Sequence, residues 1–189
     1  MRKLCLLFLL IGTYCYAGER KYTVDSPDGK IQLAIIQTDA GELTYQLSVK
    51  RKQVIDASAL GFKTEDGLTF PFRGWKMGKV TRNKVNSVWK PLWGKRAVVP
   101  DKYNEMKLSF VNEAKSSDAL EVVARAYNEG VAFRYVSPQG ADSALELTTF
   151  NFAGDYTAWF YNGERHNIGP ERLTETDGER LPVMTVKAA

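Results

Sequence analysis

The stretch from Asp155 to Glu171, reading Asp-Tyr-Thr-Ala-Trp-Phe-Tyr-Asn-Gly-Glu-Arg-His-Asn-Ile-Gly-Pro-Glu, holds the densest polar chemistry in the chain. A short aromatic run leads into a polar turn carrying the only histidine, His166, with Asn162, Asn167, Glu164 and Glu171. Oxygen donors grouped after a strand suit a hard cation such as Ca²⁺, and they suit sugar hydroxyls equally well. Residue types alone favour a plainer reading, a solvated loop turning at Asn162-Gly163 with a surface histidine. Glycosidase chemistry needs two facing carboxylates, and no spacing here singles out a pair.

A second candidate is Trp89-Lys90-Pro91-Leu92-Trp93-Gly94-Lys95-Arg96, followed by Tyr103-Asn104-Glu105. Flat indole faces beside cations offer a stacking platform for pyranose rings. Tryptophans are more often packing residues with Lys or Arg laid over them, and that reading is preferred for Trp89 and Trp93.

The compartment narrows the chemistry further. Residues 1–17 have the layout of a secretory signal: Arg2 and Lys3, an apolar run from Leu4 to Ile11, and a Cys15-Tyr16-Ala17 cleavage site. The apolar run is too short to span a bilayer, so the expectation is export to the periplasm without a membrane anchor. Both cysteines lie in that segment, so the domain expected at residues 18–189 has neither thiol nor disulfide. With one histidine, triads and paired-histidine metal sites hang on a single residue. The signal holds two of the 26 Lys and Arg and none of the 22 Asp and Glu, which leaves +2. That balance, with no basic run interleaved with aromatics, gives no sign of a nucleic-acid partner.

The elements that must position these residues are strands. Period-two alternation recurs at Ile31, Leu33 and Ile35; at Tyr45, Leu47 and Val49; at Met106, Leu108 and Phe110. It continues at Leu120, Val122, Ala124 and Ala126; at Val131, Phe133 and Tyr135; and at Leu145 and Leu147. Turn chemistry separates the runs at Ser26-Pro27-Asp28-Gly29, Asp39-Ala40-Gly41, Glu65-Asp66-Gly67, Asn128-Glu129-Gly130 and Pro138-Gln139-Gly140. Gly130 is expected to supply the positive φ of a hairpin loop. The pattern predicts an all-β antiparallel sandwich with little helix. Residues Phe70 to Lys102 are the least regular, and long connections packed back on the sandwich are expected there.

Four segments in order carry a family resemblance: Ser26 to Ile31, Ser58-Ala59-Leu60-Gly61-Phe62, Trp93-Gly94 with Tyr103-Asn104-Glu105, and Arg125 to Tyr135. Together they resemble the N-terminal domain of glycoside hydrolase family 97, which contains α-glucosidases and α-galactosidases. The resemblance implies a β-sandwich of the super-sandwich type, with the last strands incomplete and the catalytic (β/α)₈ barrel absent. It also implies a carbohydrate partner for the whole enzyme and a Ca²⁺ held mainly by barrel glutamates with help from this domain. Glu171 is then the matching calcium ligand and Asn167 the second, and Gly169-Pro170-Glu171 looks closer to the α-galactosidase branch. Two functions follow as expectations. One is a non-catalytic sandwich that shapes the active-site mouth and contributes to the calcium site; the other is a free-standing secreted carbohydrate-binding protein without activity.

Overall fold

Alternating apolar residues fold into strands because a pleated ribbon sends successive side chains to opposite faces, so one face can be buried whole. The structure, a computed structural model, describes residues 19–188 except 39, 66, 72–74, 113–118, 138–143, 162–166 and 177–180. The expected signal segment, the Pro138-Gln139-Gly140 turn, Glu164 and His166 therefore lie outside the described residues. No helix among the described residues is long and apolar enough to cross a membrane.

In chain order the strands are β1 (Arg20–Asp25), β2 (Ile31–Gln37), β3 (Leu43–Val49), β4 (Lys52–Ala59), β5 (Phe62–Thr64), β6 (Thr69–Phe70) and β7 (Trp75–Trp89). They continue as β8 (Val99–Asn112), β9 (Ala119–Tyr127), β10 (Val131–Val136), β11 (Ala144–Glu146), β12 (Thr157–Tyr161), β13 (Asn167–Arg172) and β14 (Leu181–Lys187). A single 3₁₀ turn, Leu173–Glu175, is the only helical element among the described residues. Two four-stranded antiparallel sheets, β1-β2-β3-β4 and β10-β9-β8-β7, form the sandwich, with smaller sheets β11-β5-β6 and β13-β12-β14. The all-β sandwich anticipated from alternation is what the chain adopts.

The core joins Val24, Leu33, Ile35 and Tyr45 of the first sheet to Met106, Leu108, Phe110, Leu120, Val122 and Ala124 of the second. Phe62 and Phe70 close one end, stacked at 5.3 Å, and Phe70 meets Phe110 edge-on at 5.3 Å. Close approach there requires a glycine: a Cβ on Gly61 would lie 2.5 Å from the Phe70 carbonyl oxygen.

Leu145, on the three-residue edge strand β11, and Leu147 just after it are both exposed. Two expectations are corrected. Gly130 is not among the positive-φ residues; its carbonyl accepts from the Tyr127 N–H at 2.8 Å and closes the loop without that conformation. Residues 75–112 form one long hairpin of β7 and β8, paired from Trp75↔Asn112 to Trp89↔Val99, and not connections folded back on the sandwich.

The tight turn that sequence did not signal is Lys50-Arg51, with φ of 50° and 67° between the paired Val49 and Lys52. Two successive positive φ values make the primed hairpin turn that asparagine and glycine favour. Replacing Lys50→Asn together with Arg51→Gly should stabilise the chain by about 1 kcal/mol, the cost of a side chain in the left-handed region. For a domain of this size that is a rise in Tm of about 2–4 °C by thermal unfolding. An unchanged or lower Tm would show that the native side chains make compensating contacts.

Candidate functional site

The β7–β8 hairpin outgrows its sheet. β9 ends at the Tyr103↔Tyr127 pair, so from Lys102 outward β7 and β8 continue as a two-stranded arm. The arm runs about 13 Å past that row, at ~3.3 Å per residue, before Trp89 and Val99 close it. Its root is fastened on both faces. On the outer face Tyr103 and Tyr127 lie 5.0 Å apart, and the Arg125 guanidinium sits 4.3 Å above the Tyr103 ring. Arg125 Nε donates to Glu105 Oε2 at 2.7 Å, burying Glu105 to 6 % exposure, and the Lys107 ammonium stands 3.9 Å from the same carboxylate. The Glu105 carboxylate beside Arg125 raises the guanidinium above its ordinary range.

On the inner face Arg82 Nη1 donates to the Thr23 carbonyl at 2.5 Å, and Asn104 Nδ2 to the Asp25 carbonyl at 2.7 Å. These bonds cross a polar cleft of ≈ 620 Å³ between the end of β1 and the hairpin. Beside it the Ser26–Gly29 turn is held by Asp28, whose carboxylate accepts from Ser26 Oγ at 2.7 Å and from the Lys30 N–H at 3.1 Å. The Ser26 hydroxyl and then Lys30 lower the Asp28 carboxyl to about 2. The polar groups of the cleft thus tie β1 to the arm.

At the arm's tip the preferred reading of the tryptophans is overturned. Trp89 is 54 % exposed and Trp93 87 %, with Leu92 fully exposed and Val88 and Val98 open beside them. Burial needs a second layer, and beyond Tyr103 the arm has none on the described residues. Trp75, at the opposite end of β7, does pack against the core.

The described parts of the polar segment, residues 155–161 and 167–171, lead into and form β12 and β13 of the β13-β12-β14 sheet. Asp155, just before β12, organises the chain after β13. Its Oδ1 accepts from the Thr174 N–H at 3.0 Å, and its Oδ2 accepts from Thr174 Oγ1 at 2.9 Å and from Arg172 Nε at 2.5 Å. The Thr174 N–H first, and Arg172 next, hold its carboxyl below the usual carboxylate range. Gly169, at φ 116°, lets β13 ride against β12: a Cβ there would lie 2.5 Å from the Ala158 carbonyl oxygen.

That glycine sits in a bulge, and the bulge separates the two sequence-derived ligands. Glu171 lies opposite Ala158 and shares the buried face of β12, where it is half-buried. Asn167 lies opposite Tyr161, on the exposed face. The two side chains point to opposite sides of the sheet. Among the described residues no three His, Cys, Asp or Glu gather as a metal shell. What the described residues present is one carboxylate, Glu171, which fits a single contribution to a cation held largely by other groups. Sequence reasoning did not single out Asp155 or the Glu105–Arg125 pair. Their signal was available only as Tyr103-Asn104-Glu105 and Arg125-Ala126-Tyr127, two short runs that pair across β8 and β9.

The sequence model for the glycosyl-hydrolase 97 N-terminal family matches residues 24–185. A retaining α-galactosidase of Bacteroides thetaiotaomicron is 22 % identical over 199 residues, covering 96 % of this chain and 29 % of that protein. A probable retaining α-galactosidase of Streptomyces bingchenggensis is 29 % identical over 166 residues, covering 85 % of this chain and 26 % of that protein. Among solved structures, a family 97 glycoside hydrolase from Pseudoalteromonas sp. strain K8 in complex with panose superposes with a TM-score of 0.63. It is 33 % identical and covers 74 % of this chain and 22 % of its own. A β-arabinopyranosidase superposes at a TM-score of 0.62 with 26 % identity and the same coverage. The chain therefore spans less than a third of the length of the proteins it matches.

Two outcomes follow from the geometry. Arg125→Ala should destabilise the chain by about 2 kcal/mol in urea unfolding, because it strands the buried Glu105 carboxylate and uncovers Tyr103; a third of Arg125 is exposed, which places the loss below that of a fully buried pair. Glu105→Gln added to that variant should recover part of the loss, and no recovery would mean that the ring contact dominates. Asp155, with its folded pKa depressed, contributes stability above its unfolded value near 4 that is lost as pH falls through the lower folded value. The protection of the Thr174 amide, taken relative to the intrinsic exchange rate at each pH, should therefore fall on acidification through that window, and Asp155→Asn should show low protection at neutral pH. Equal Thr174 protection in Asp155→Asn would remove the carboxylate from that role.

Proposed function

The chain belongs to the glycosyl-hydrolase 97 N-terminal family, and from that premise we propose that it serves as the non-catalytic β-sandwich of an α-glycosidase. In this reading it shapes the mouth of an active site built by other parts of the enzyme and lends one ligand to a calcium site there. The observation that carries the proposal is the family match over residues 24–185, which takes in both sheets of the sandwich and the β12–β13 layer. Relatives matching over that span are α-galactosidases by name, and a solved neighbour holds an oligosaccharide, which supports an α-galactoside or α-glucoside as the sugar.

Glu171 is the ligand we assign to this chain. It is half-buried on the bulged strand opposite Ala158, and Asp155 fixes the Arg172 that follows. When bound, Ca²⁺ would supply a fixed positive charge beside sugar hydroxyl oxygens. Ca²⁺ takes six to eight oxygens, and one carboxylate falls well short of that number. The isolated chain should therefore bind Ca²⁺ no tighter than about millimolar. A second reading, a free-standing secreted carbohydrate-binding sandwich, draws on the exposure of Trp89 and Trp93.

The test is a chimera in which this chain replaces the matching N-terminal portion of the Bacteroides thetaiotaomicron α-galactosidase. Glu171→Gln should weaken Ca²⁺ affinity by calorimetry and turnover of a chromogenic α-galactoside together, by about tenfold or more as for other lost metal-site partners. Glu164→Gln should leave both near the parent value. A large loss at Glu164 with none at Glu171 would transfer the role to Glu164, and no loss at either would remove the loop from the site. Hydrolysis by the isolated chain would overturn the non-catalytic assignment.

A further inference from the structure

The arm tip is an apolar knob with a cationic collar. Residues 88–98 contribute Val88, Trp89, Leu92, Trp93 and Val98, all exposed, together with Lys90, Lys95 and Arg96. The same eleven residues contain no Asp, Glu, Asn, Gln, Ser or Thr. We propose that this tip is a protein-docking element whose partner is an acidic groove on the catalytic portion of a family 97 glycosidase. The inference rests on the domain role assigned above and names the surface through which that role is exercised.

Four observations select this occupant. Sugar hydroxyls donate as well as accept hydrogen bonds, and the tip can answer only half of that chemistry, with donors at Lys90, Lys95 and Arg96 and no side-chain acceptor. Leu92, fully exposed between the two indoles, gives a sugar nothing to bond, yet with Trp and Arg it is the kind of apolar anchor that fills a protein pocket. The collar is purely positive, and a glycosidase must gather carboxylates around its substrate, so the charges complement one another. Finally, a two-stranded ribbon is marginal in water, and here its root is clamped on both faces by Tyr103, Arg125, Arg82 and Asn104. A clamped root presents the tip in one orientation, as a docking element requires. The relatives carry more than two thirds of their length outside the part this chain matches, enough to supply the groove.

The experiment compares the chain alone with the chimera described above. In the chimera, amide exchange across residues 88–98 should slow by about tenfold or more, and acrylamide quenching of Trp89 and Trp93 should fall. The double variant Leu92→Ser, Trp93→Ser should lower the Tm of the chimera and leave that of the chain alone unchanged. A tip that exchanges and quenches equally in both proteins overturns the proposal. So does a fluorescence shift of the isolated chain on adding panose, binding of that chain to phosphatidylglycerol vesicles, or a dimer that the double variant dissolves. These outcomes would assign the tip to sugar, lipid or a second copy respectively. If the chimera does not fold, residues 75–112 grafted alone into the intact α-galactosidase give the same readouts. The calcium assignment fails separately: a protected tip with no response to Glu171→Gln sinks only that assignment, and a calcium response with an unprotected tip sinks only this one.

Discussion

The dry face between the two large sheets is the constraint on which everything else in this molecule depends. Leu33 and Ile35 from β2 meet Met106, Leu108, Phe110 and Val122 from β8 and β9, and all are essentially without solvent contact. Full burial of such side chains contributes roughly 1.5–3 kcal/mol each, so these six outweigh any single polar contact at the surface. They also fix register. A slip of one residue along β8 would turn Met106, Leu108 and Phe110 outward and put Glu105 and Lys107 into the core. The outer-face pairing of Glu105 with Arg125 and of Tyr103 with Tyr127 is thus a by-product of inner-face packing.

That dependence explains how a long arm can stand clear of the sandwich. Met77 and Val80 enter the core near Phe110 and Leu108, so the inner half of the hairpin is anchored by burial. The outer half inherits its direction from that anchor and from the clamp at Tyr103. The β12–β13 layer is different, because hydrogen bonds add to its own burial of Ala158 and Phe160. Asp155 gathers Arg172 and Thr174, and Gly169 allows the close approach that aims Glu171 to the buried side of its strand. One feature is positioned by apolar leverage and the other by burial together with polar stitching.

Much of this was legible in the sequence, and the exceptions have physical reasons. Alternation located β2, β8 and β9 because their inner faces are fully buried and the signal is strong. It says nothing of the exposure of Leu145 and Leu147, because periodicity reports a strand's two faces without saying whether a second layer covers either. It missed β7, where the bulge between Met77 and Val80 breaks the period, Lys79, Arg82 and Lys84 interrupt the apolar rhythm, and the arm from Asn86 outward has no inside to mark. The Lys50-Arg51 turn escaped for a related reason: β3 and β4 are pulled together by their packing, and the turn residues accept a conformation they would not choose. At the candidate site, Glu171 was picked out by resemblance. Its separation from Asn167 depends on the Gly169 bulge, which shifts the strand's parity and leaves no mark in spacing.

The segment from Leu147 to Ala153 bears on how the molecule responds to force. It runs beside β4 and the start of β5 without the regular ladder of a strand. Leu147 and Thr149 N–H groups donate to the Gly61 and Ala59 carbonyls, and Ala153 N–H to that of Val54. Between them the Asn151 N–H donates to Ser58 Oγ, and its side-chain amide to the Ala57 carbonyl. Ile55 and Phe152 form an isolated bridge. Bonds of this mixed kind are loaded one after another when the C-terminal layer is pulled, whereas the core sheets lie behind a continuous apolar contact. Along 147–153 the chain is thus joined to β4 and β5 by separate backbone and side-chain bonds, each of which would carry tension singly.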